Sequence, residues 1–537
     1  MVSKSWGRSL LLALPLASAV ANAALDQVLA KGRPVIPRLA PPQRQIVDQQ
    51  GAPVNLSTVY TFDQLIDHAN PALGTFKQRY WTSNEYYKTG GPVVLMTPGE
   101  TNADGYESML TNVSVNGLIA QQNNGAVVVI EHRFFGQSNP YGNLTAQSLR
   151  YLTIAQAIDD LAHFAQTVDL PWAGGDAVKP DKTPWVLTGG SYAGALTSWT
   201  MVKKPDVFYA GWSSSGVVEA ITDYYAYFTP ILEHMPKNCS ADVQAVVGYL
   251  DQLNSTSNAT GIQTMQDTFG LGNLTHADDF ALALTYNLAD WQELQPDSGA
   301  NQTFYRFCDA LEVNAGGESA GEQGWGVEHA VQAWGSFWKA EYYNKTCGTA
   351  DVETCLGTYN ASAAQYTNTT VDNATRSWMW MVCNQVGYYQ VGPPADQPAI
   401  VSRLVTVADQ ERTCVSYFPQ AFPGGPPAPT VAQTNAEYMG WNVSVPRLFF
   451  ANGLRDPWRG ATVSADARGR GANANADTNT SSRWQPVYEG DGFHCSDLSV
   501  RNGAVDATVA GVQRAGLGYV RAWLGGFRAS GGAAGDL

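Results

Sequence analysis

Short apolar runs bounded by turn residues occur at "PVVLMTPG" (Pro92 to Gly99), "AVVVIEHR" (Ala126 to Arg133) and "PWVLTGGS" (Pro184 to Ser191). Each is rich in valine, isoleucine or leucine and none alternates cleanly, which is the pattern of parallel strands buried on both faces. Between the last two, "TIAQAIDDLAHFAQTV" (Thr153 to Val168) repeats its apolar positions at helical spacing. Strands alternating with helices predict a doubly wound α/β sheet. The middle of the chain differs: over 217–433 strand-like runs are few and helix-like pieces such as "DDFALALTYNLADW" replace them. That region ends in the proline- and glycine-rich "FPGGPPAPT" (Phe422 to Thr430), which reads as a return linker. Strand character resumes at "VPRLFFANGLRDPW" (Val445 to Trp458), and a helix-like run from Ala504 to Phe527 follows, with no internal repeat anywhere. The order predicts an α/β core in two parts, 51–216 and 434–537, interrupted by a mostly helical cap insertion over 217–433.

Composition narrows the class. At 537 residues the chain exceeds the roughly 250–300 residues that one core supports, and 44% hydrophobic residues supply ample material for packing. A formal charge of −15 has the wrong sign for nucleic acid or an anionic membrane surface. An acidic surface approaches neutrality as pH falls, which fits mildly acidic surroundings. Residues 1–23 read as a signal peptide: Lys4 and Arg8, an apolar run from Leu10 to Val20, then the small-residue cleavage site Ala21-Asn22-Ala23. The run is shorter than the ~20 residues of a membrane span, nothing comparable follows, and no hydrophobic tail marks a lipid anchor. The expectation is a secreted, extracellular protein, with vacuolar or lysosome-like delivery as second choice. Residues 24–50 form an extended segment and a candidate propeptide. Asn-x-Ser/Thr recurs about fourteen times, for example at Asn55, Asn273 and Asn344, and predicts N-linked glycans. Of seven cysteines, six fall between Cys239 and Cys414 and read as three disulfides tying the cap, with Cys495 left over. Cys347 and Cys355 are near enough to close a small loop; spacing does not fix the pairing. No Cys-x-x-Cys or clustered His/Cys pattern suggests a metal, and no cofactor is implied.

The candidate chemistry lies in "WVLTGGSYAGALTSWT". In the α/β-hydrolase arrangement a nucleophile occupies a strained strand-to-helix elbow, Gly-x-Ser-x-Gly. Here Gly189-Gly190-Ser191-Tyr192-Ala193 supplies the first glycine, puts Ala193 where the second belongs, and brings Gly194 one position late. A serine in a plain glycine-rich loop reads the same way, so the base and acid must decide. The order Ser, Asp/Glu, His places the base after Ser191, which excludes His68, His132 and His163. His234, His276 and His329 lie in the cap, leaving His494 in "YEGDGFHCSDL". For the acid, Asp456 stands just past a buried-strand pattern, where groups in open parallel sheets cluster; Asp491 and Asp497 are rivals very close to His494 in sequence. An oxyanion hole needs two N–H groups, one from Tyr192 and one from Gly99 or Glu100 in "TPGE". The roughly 265 residues between Ser191 and Asp456 far exceed what a plain sheet needs, and predict a lid over the site.

"GGSYAGAL", "TPGE", "IEHRFFGQS", "YLTIAQAIDDLAHF", "NGLRDPW", "GFHCSDL" and the amino-terminal "FDQLIDHANPALGTFKQRYW" together resemble the serine peptidases that include lysosomal Pro-X carboxypeptidase and dipeptidyl peptidase II, the secreted fungal acid prolyl endopeptidases most of all. The resemblance spans nearly the whole mature chain. It implies an α/β-hydrolase core with an inserted helical, disulfide-tied cap, cleavage after proline and sometimes alanine, and a triad of Ser191, Asp456 and His494. It also implies that Trp458 walls the proline pocket, as an indole face can cover a pyrrolidine ring; the bland alternative is a core tryptophan. "WMWMVCNQVGYYQ" (Trp378 to Gln390) resembles the family's cleft-facing cap segment, which makes Trp378, Asn384 and Gln385 substrate-binding candidates. The plainer reading of Asn384 and Gln385 is that they satisfy buried backbone groups. Relatives often carry glutamate where Gln385 stands, and loss of that charge favours internal cleavage over dipeptide release. Lid geometry, which selects endo-, carboxypeptidase- or dipeptidyl-peptidase-like action, is not legible. The competing readings are an esterase or lipase on the same fold, and a hydrolase-fold binding protein without chemistry.

Overall fold

The computed structural model describes residues 32–423, 425, 430–466 and 485–529. The signal-peptide reading of 1–23, the first residues of the 24–50 segment and most of the proline-rich linker lie outside them. Among the described residues ten strands form: β1 (Tyr60–Leu65), β2 (Thr75–Ser83), β3 (Val93–Met96), β4 (Ala126–Ile130), β5 (Trp185–Gly190), β6 (Ala210–Ser214), β7 (Ile221–Asp223), β8 (Gly387–Tyr389), β9 (Leu448–Gly453) and β10 (Val487–Gly490). Eight of them make one sheet in the order β1-β2-β4-β3-β5-β6-β9-β10. Every pair from β4 to β10 is parallel. The sheet is nevertheless mixed, because β1 and β2 form an antiparallel hairpin and β2 runs antiparallel to β4. A connection as short as Ile66 to Gly74 cannot make the crossover that a parallel neighbour requires.

Burial explains the missing alternation in the central strands. Val93 and Leu95 point into one apolar layer and Val94 and Met96 into the other, and all four are buried. The helix Ile154–Thr167 covers the first face, capped by the Thr153 side chain accepting from Gln156 N–H. The helices Val115–Asn123 and Ala507–Gly525 cover the second. The expected single C-terminal helix is two, Val500–Val505 and Ala507–Gly525, because Asp506 turns out of helical geometry and caps the second with its side chain.

The chain leaves the sheet after β6 and returns at β9. Between them lie helices including Lys237–Ser255, Ala277–Ala289, Thr303–Glu312, Val327–Phe337 and Val407–Tyr417, plus one small parallel pair, β7–β8. Apolar faces of these helices merge with the first layer of the core through Tyr224, Phe228 and Trp378. Cys239–Cys308, Cys347–Cys355 and Cys383–Cys414 tie the insertion internally, and Cys495 is free and buried. Among the described residues no helix is long and apolar enough to cross a membrane.

Candidate active site

Ser191 connects β5 to the helix Tyr192–Lys203 with φ 62° and ψ −127°, a backbone conformation in which side-chain-bearing residues are strained. Sharp reversal brings helix and strand so close that a Cβ on Gly189 would lie 2.2 Å from Ala193 O. The displaced glycine of the motif has a physical account: a Cβ on Gly194 would meet Ser214 O of β6 at 2.7 Å, so the close approach falls at 194. Ala193 is tolerated at the expected position because its methyl faces Gly99, which has no side chain.

Three loops at the carboxyl ends of β5, β9 and β10 converge. Ser191 Oγ lies 2.8 Å from His494 Nε2, and His494 Nδ1 lies 2.8 Å from Asp456 Oδ1. All three side chains are buried, none more than 1% exposed. Asp456 Oδ1 also accepts from Trp458 N–H at 2.9 Å, which fixes the carboxylate's orientation. Burial by itself pushes the His494 imidazole down, but the adjoining Asp456 carboxylate overrides this and holds it well above its ordinary value. The two rival acids are engaged elsewhere. Asp491 pairs with Arg455, while Asp497 accepts from Trp212 Nε1–H and Ser214 Oγ–H. Burial raises the Asp497 pKa to about 6. Of the histidines set aside because they lie in the cap, His276 stacks on Tyr359 and His329 bonds Leu311 O.

The Tyr192 backbone opens the helix directly after Ser191. Its phenol is 3.0 Å from His132 Nε2, whose Nδ1 meets Arg133 O, and burial lowers the His132 pKa to about 4 so that the ring stays neutral. "IEHRFFGQS" and "YLTIAQAIDDLAHF" thus act as scaffold: the buried Arg133 guanidinium pairs with Asp160 on the covering helix. Gly99, with φ 79°, sits against Tyr192 and Ala193, and its N–H donates to Thr97 Oγ1. Glu100 beside it is fully buried, neither carboxylate oxygen has a partner among the described residues, and burial pushes its pKa up to about 8.

Trp458 joins an aromatic cluster next to the triad. Tyr224, Tyr227 and Tyr388 lie 5.3–5.4 Å from it, and Trp378 stacks on Tyr388 and meets Tyr192 edge-on at 5.5 Å. Trp378 and Tyr388 also line a cavity of about 160 Å³ that reaches into the cap and is bordered by Gly32 and Arg33. Asn384 and Gln385 do not join this group. Asn384 Nδ2 donates to Trp380 O and Gln385 Oε1 accepts from Ile154 N–H, so both bond backbone, as the plainer reading has it. The sequence reading missed Gln292, which accepts from Trp458 Nε1–H at 2.7 Å and Tyr227 Oη–H while donating to Arg33 O. A lone glutamine in a cap turn carries no periodicity or motif that would reveal it. Among the described residues no cluster of His, Cys, Asp and Glu could hold a metal ion.

Comparison with known proteins gives one family model, Serine carboxypeptidase S28, matching residues 64–470. Serine protease vicPb of Bipolaris victoriae (strain FI3) is 33% identical over 481 residues, covering 86% of this chain and 88% of its own. Serine protease vicPa of the same strain is 32% identical over 505 residues, 91% of each chain. A "Probable extracellular serine carboxypeptidase" of Arthroderma benhamiae is 32% identical over 414 residues, 73% of this chain and 56% of its own.

Proposed function

Because the chain belongs to the serine carboxypeptidase S28 family, we propose that it is a secreted peptidase cutting on the carboxyl side of proline, and secondarily alanine, through Ser191, His494 and Asp456. The observation that carries the reading is the unbroken hydrogen-bonded succession of hydroxyl, imidazole and carboxylate at one edge of the sheet. His494 Nε2 takes the Ser191 proton as Oγ attacks the prolyl carbonyl carbon, and Asp456 holds the tautomer that leaves Nε2 free to accept. Tyr192 N–H donates to the oxyanion. The second donor is the N–H of Gly99 or Glu100 in the turn after β3, where Gly99 N–H is drawn toward Thr97 Oγ1. His494 then protonates the departing nitrogen, and water repeats the cycle on the acyl-enzyme. Trp458 and Trp378 wall the pocket that receives the pyrrolidine ring. Asn384 Nδ2 and Gln385 Oε1 hold backbone, which favours the plainer reading of both residues over a place in the pocket.

Residues 24–50 enter this reading as a segment removed for full activity. Gly32 and Arg33 border the cavity, Gln292 holds Arg33 O at 2.7 Å, and Ile36 packs over Gly190 beside the buried Ser191. Secretion is supported by the extracellular name of the Arthroderma relative and by exposed sequons at Asn55, Asn273 and Asn344, where N-linked glycans fit. The acidic surface fits mildly acidic surroundings, but the triad pulls the other way: a raised His494 pKa leaves Ser191 without a base as pH falls. The test is product mass spectrometry on proline-containing peptides and on simple esters across pH. Cleavage after proline supports the reading; turnover of esters alone supports the esterase alternative.

A further inference from the structure

The histidine loop is held from the cap. Within the 3-10 turn Asp290–Glu293, Trp291 Nε1–H donates to Arg455 O at 2.7 Å and its ring lies 5.2 Å from Phe493. One turn is thereby anchored to the residue before Asp456 and the residue before His494. Gln295 follows and uses its whole amide: Nε2–H donates to His494 O at 3.0 Å, and Oε1 accepts from Ser496 Oγ–H at 2.9 Å and Asn502 Nδ2–H at 2.8 Å. The amide orientation is set, because a flipped Gln295 would point its NH2 group at the Asn502 donor. Cys495 N–H, on the same peptide group as His494 O, donates to Ser215 Oγ of the core at 3.0 Å. That peptide is therefore clamped at its oxygen by the cap and at its N–H by the core. It leads into Cys495 with φ 54°, a strained left-handed backbone that would otherwise relax and carry the imidazole with it.

We propose that Gln295 is a positioning residue by which the cap fixes the His494 peptide and so keeps the imidazole between Ser191 and Asp456; this rests on the triad reading above. Gln295 touches no reacting atom, and its effect passes through His494. A displacement of about 1 Å at a catalytic group lowers turnover by roughly two orders of magnitude, so Gln295→Ala should lower kcat about 10- to 100-fold with KM within about threefold. Gln295→Glu gives a readout that a merely structural role would not move. A protonated carboxyl donates to His494 O as the amide does, whereas a carboxylate cannot. Its kcat relative to the parent should therefore be near 1 at pH 4 and fall as pH rises through the new carboxyl's titration, while Gln295→Ala shows a constant ratio. Should Gln295→Ala melt early, Gln295→Met keeps length and packing and carries the same expectation. Parent-like kcat in the Ala or Met variant, or a Gln295→Glu ratio flat with pH, overturns the proposal. Fluorophosphonate labelling of the parent separates the two claims: an unlabelled, inactive parent sinks the triad reading, while a labelled parent beside fully active variants sinks only this one.

Discussion

Replacing Glu100 with glutamine removes one ionisation from the interior with almost no change of shape. The carboxyl is fully buried beside the triad, neither oxygen is partnered among the described residues, and burial moves its pKa from 4.5 up to about 8. In the unfolded chain the same group loses its proton near 4.5. Between those values the folded protein keeps a proton that the unfolded chain releases, so stability falls as pH rises across the window. Each pH unit is worth about 1.36 kcal/mol, which makes the loss between pH 4.5 and pH 7 on the order of 3 kcal/mol, full expression coming only at the upper end of the window. Glutamine has nothing to ionise. Urea unfolding of parent and Glu100→Gln at about pH 4.5, 6 and 7 reads the difference: stabilities within ~1 kcal/mol of each other at the lowest pH, and the variant ahead by ~2–3 kcal/mol at pH 7. Parallel pH dependences would refute the reasoning, because they would mean the folded state ionises this carboxyl as readily as the unfolded one.

Three further outcomes follow from the geometry. Asp456→Asn should lower kcat roughly 10⁴-fold by losing the histidine tautomer, whereas Asp497→Asn, which disturbs only Trp212 and Ser214, should leave kcat within about threefold and cost ~1–2 kcal/mol in unfolding experiments. Trp458→Ala should lower kcat/KM for proline peptides by about 30-fold or more while sparing a small acetate ester, at a stability cost of ~3 kcal/mol from the emptied site; equal losses on both substrates would argue for a core tryptophan. Cleaving the chain between Arg38 and Val47 with an added specific protease site should raise kcat/KM on long peptides about tenfold or more as the Gly32–Ile36 stretch leaves its contacts with Gln292 and Gly190, and unchanged activity after complete cleavage would show that the segment belongs to the working enzyme.

Much of this site was legible in the sequence because the α/β sheet ties chemistry to chain order. Val, Ile and Leu runs marked β3, β4 and β5, and chain order together with the extent of the cap then left His494 as the candidate base. Asp456 was set apart from Asp497 by its place just past a buried-strand pattern, while Asp497 stands only three residues from His494. The structure adds what Asp497 does instead, which is to accept from Trp212 and Ser214. The hairpin of β1 and β2 was less plain, since "FDQL" and "TFKQRYW" show partial exposure instead of a buried run. Cap residues were least legible. Gln292 reaches Trp458 and Gln295 reaches His494 through side-chain amides across more than 160 residues of chain, and no local pattern encodes such a contact. Gln385 shows the converse: its place in a family-like segment suggested the cleft, yet a backbone N–H at Ile154 claims its oxygen.

The central claim is that Ser191 is made nucleophilic by His494 held on Asp456. The most direct measurement is to treat the purified protein with a fluorophosphonate, locate the adduct by peptide mass spectrometry, and repeat with His494→Ala. The account predicts an adduct on Ser191 together with loss of proline-peptide cleavage, and neither adduct nor cleavage in the variant. Cleavage that persists with Ser191 blocked, or labelling undiminished without the imidazole, would contradict it.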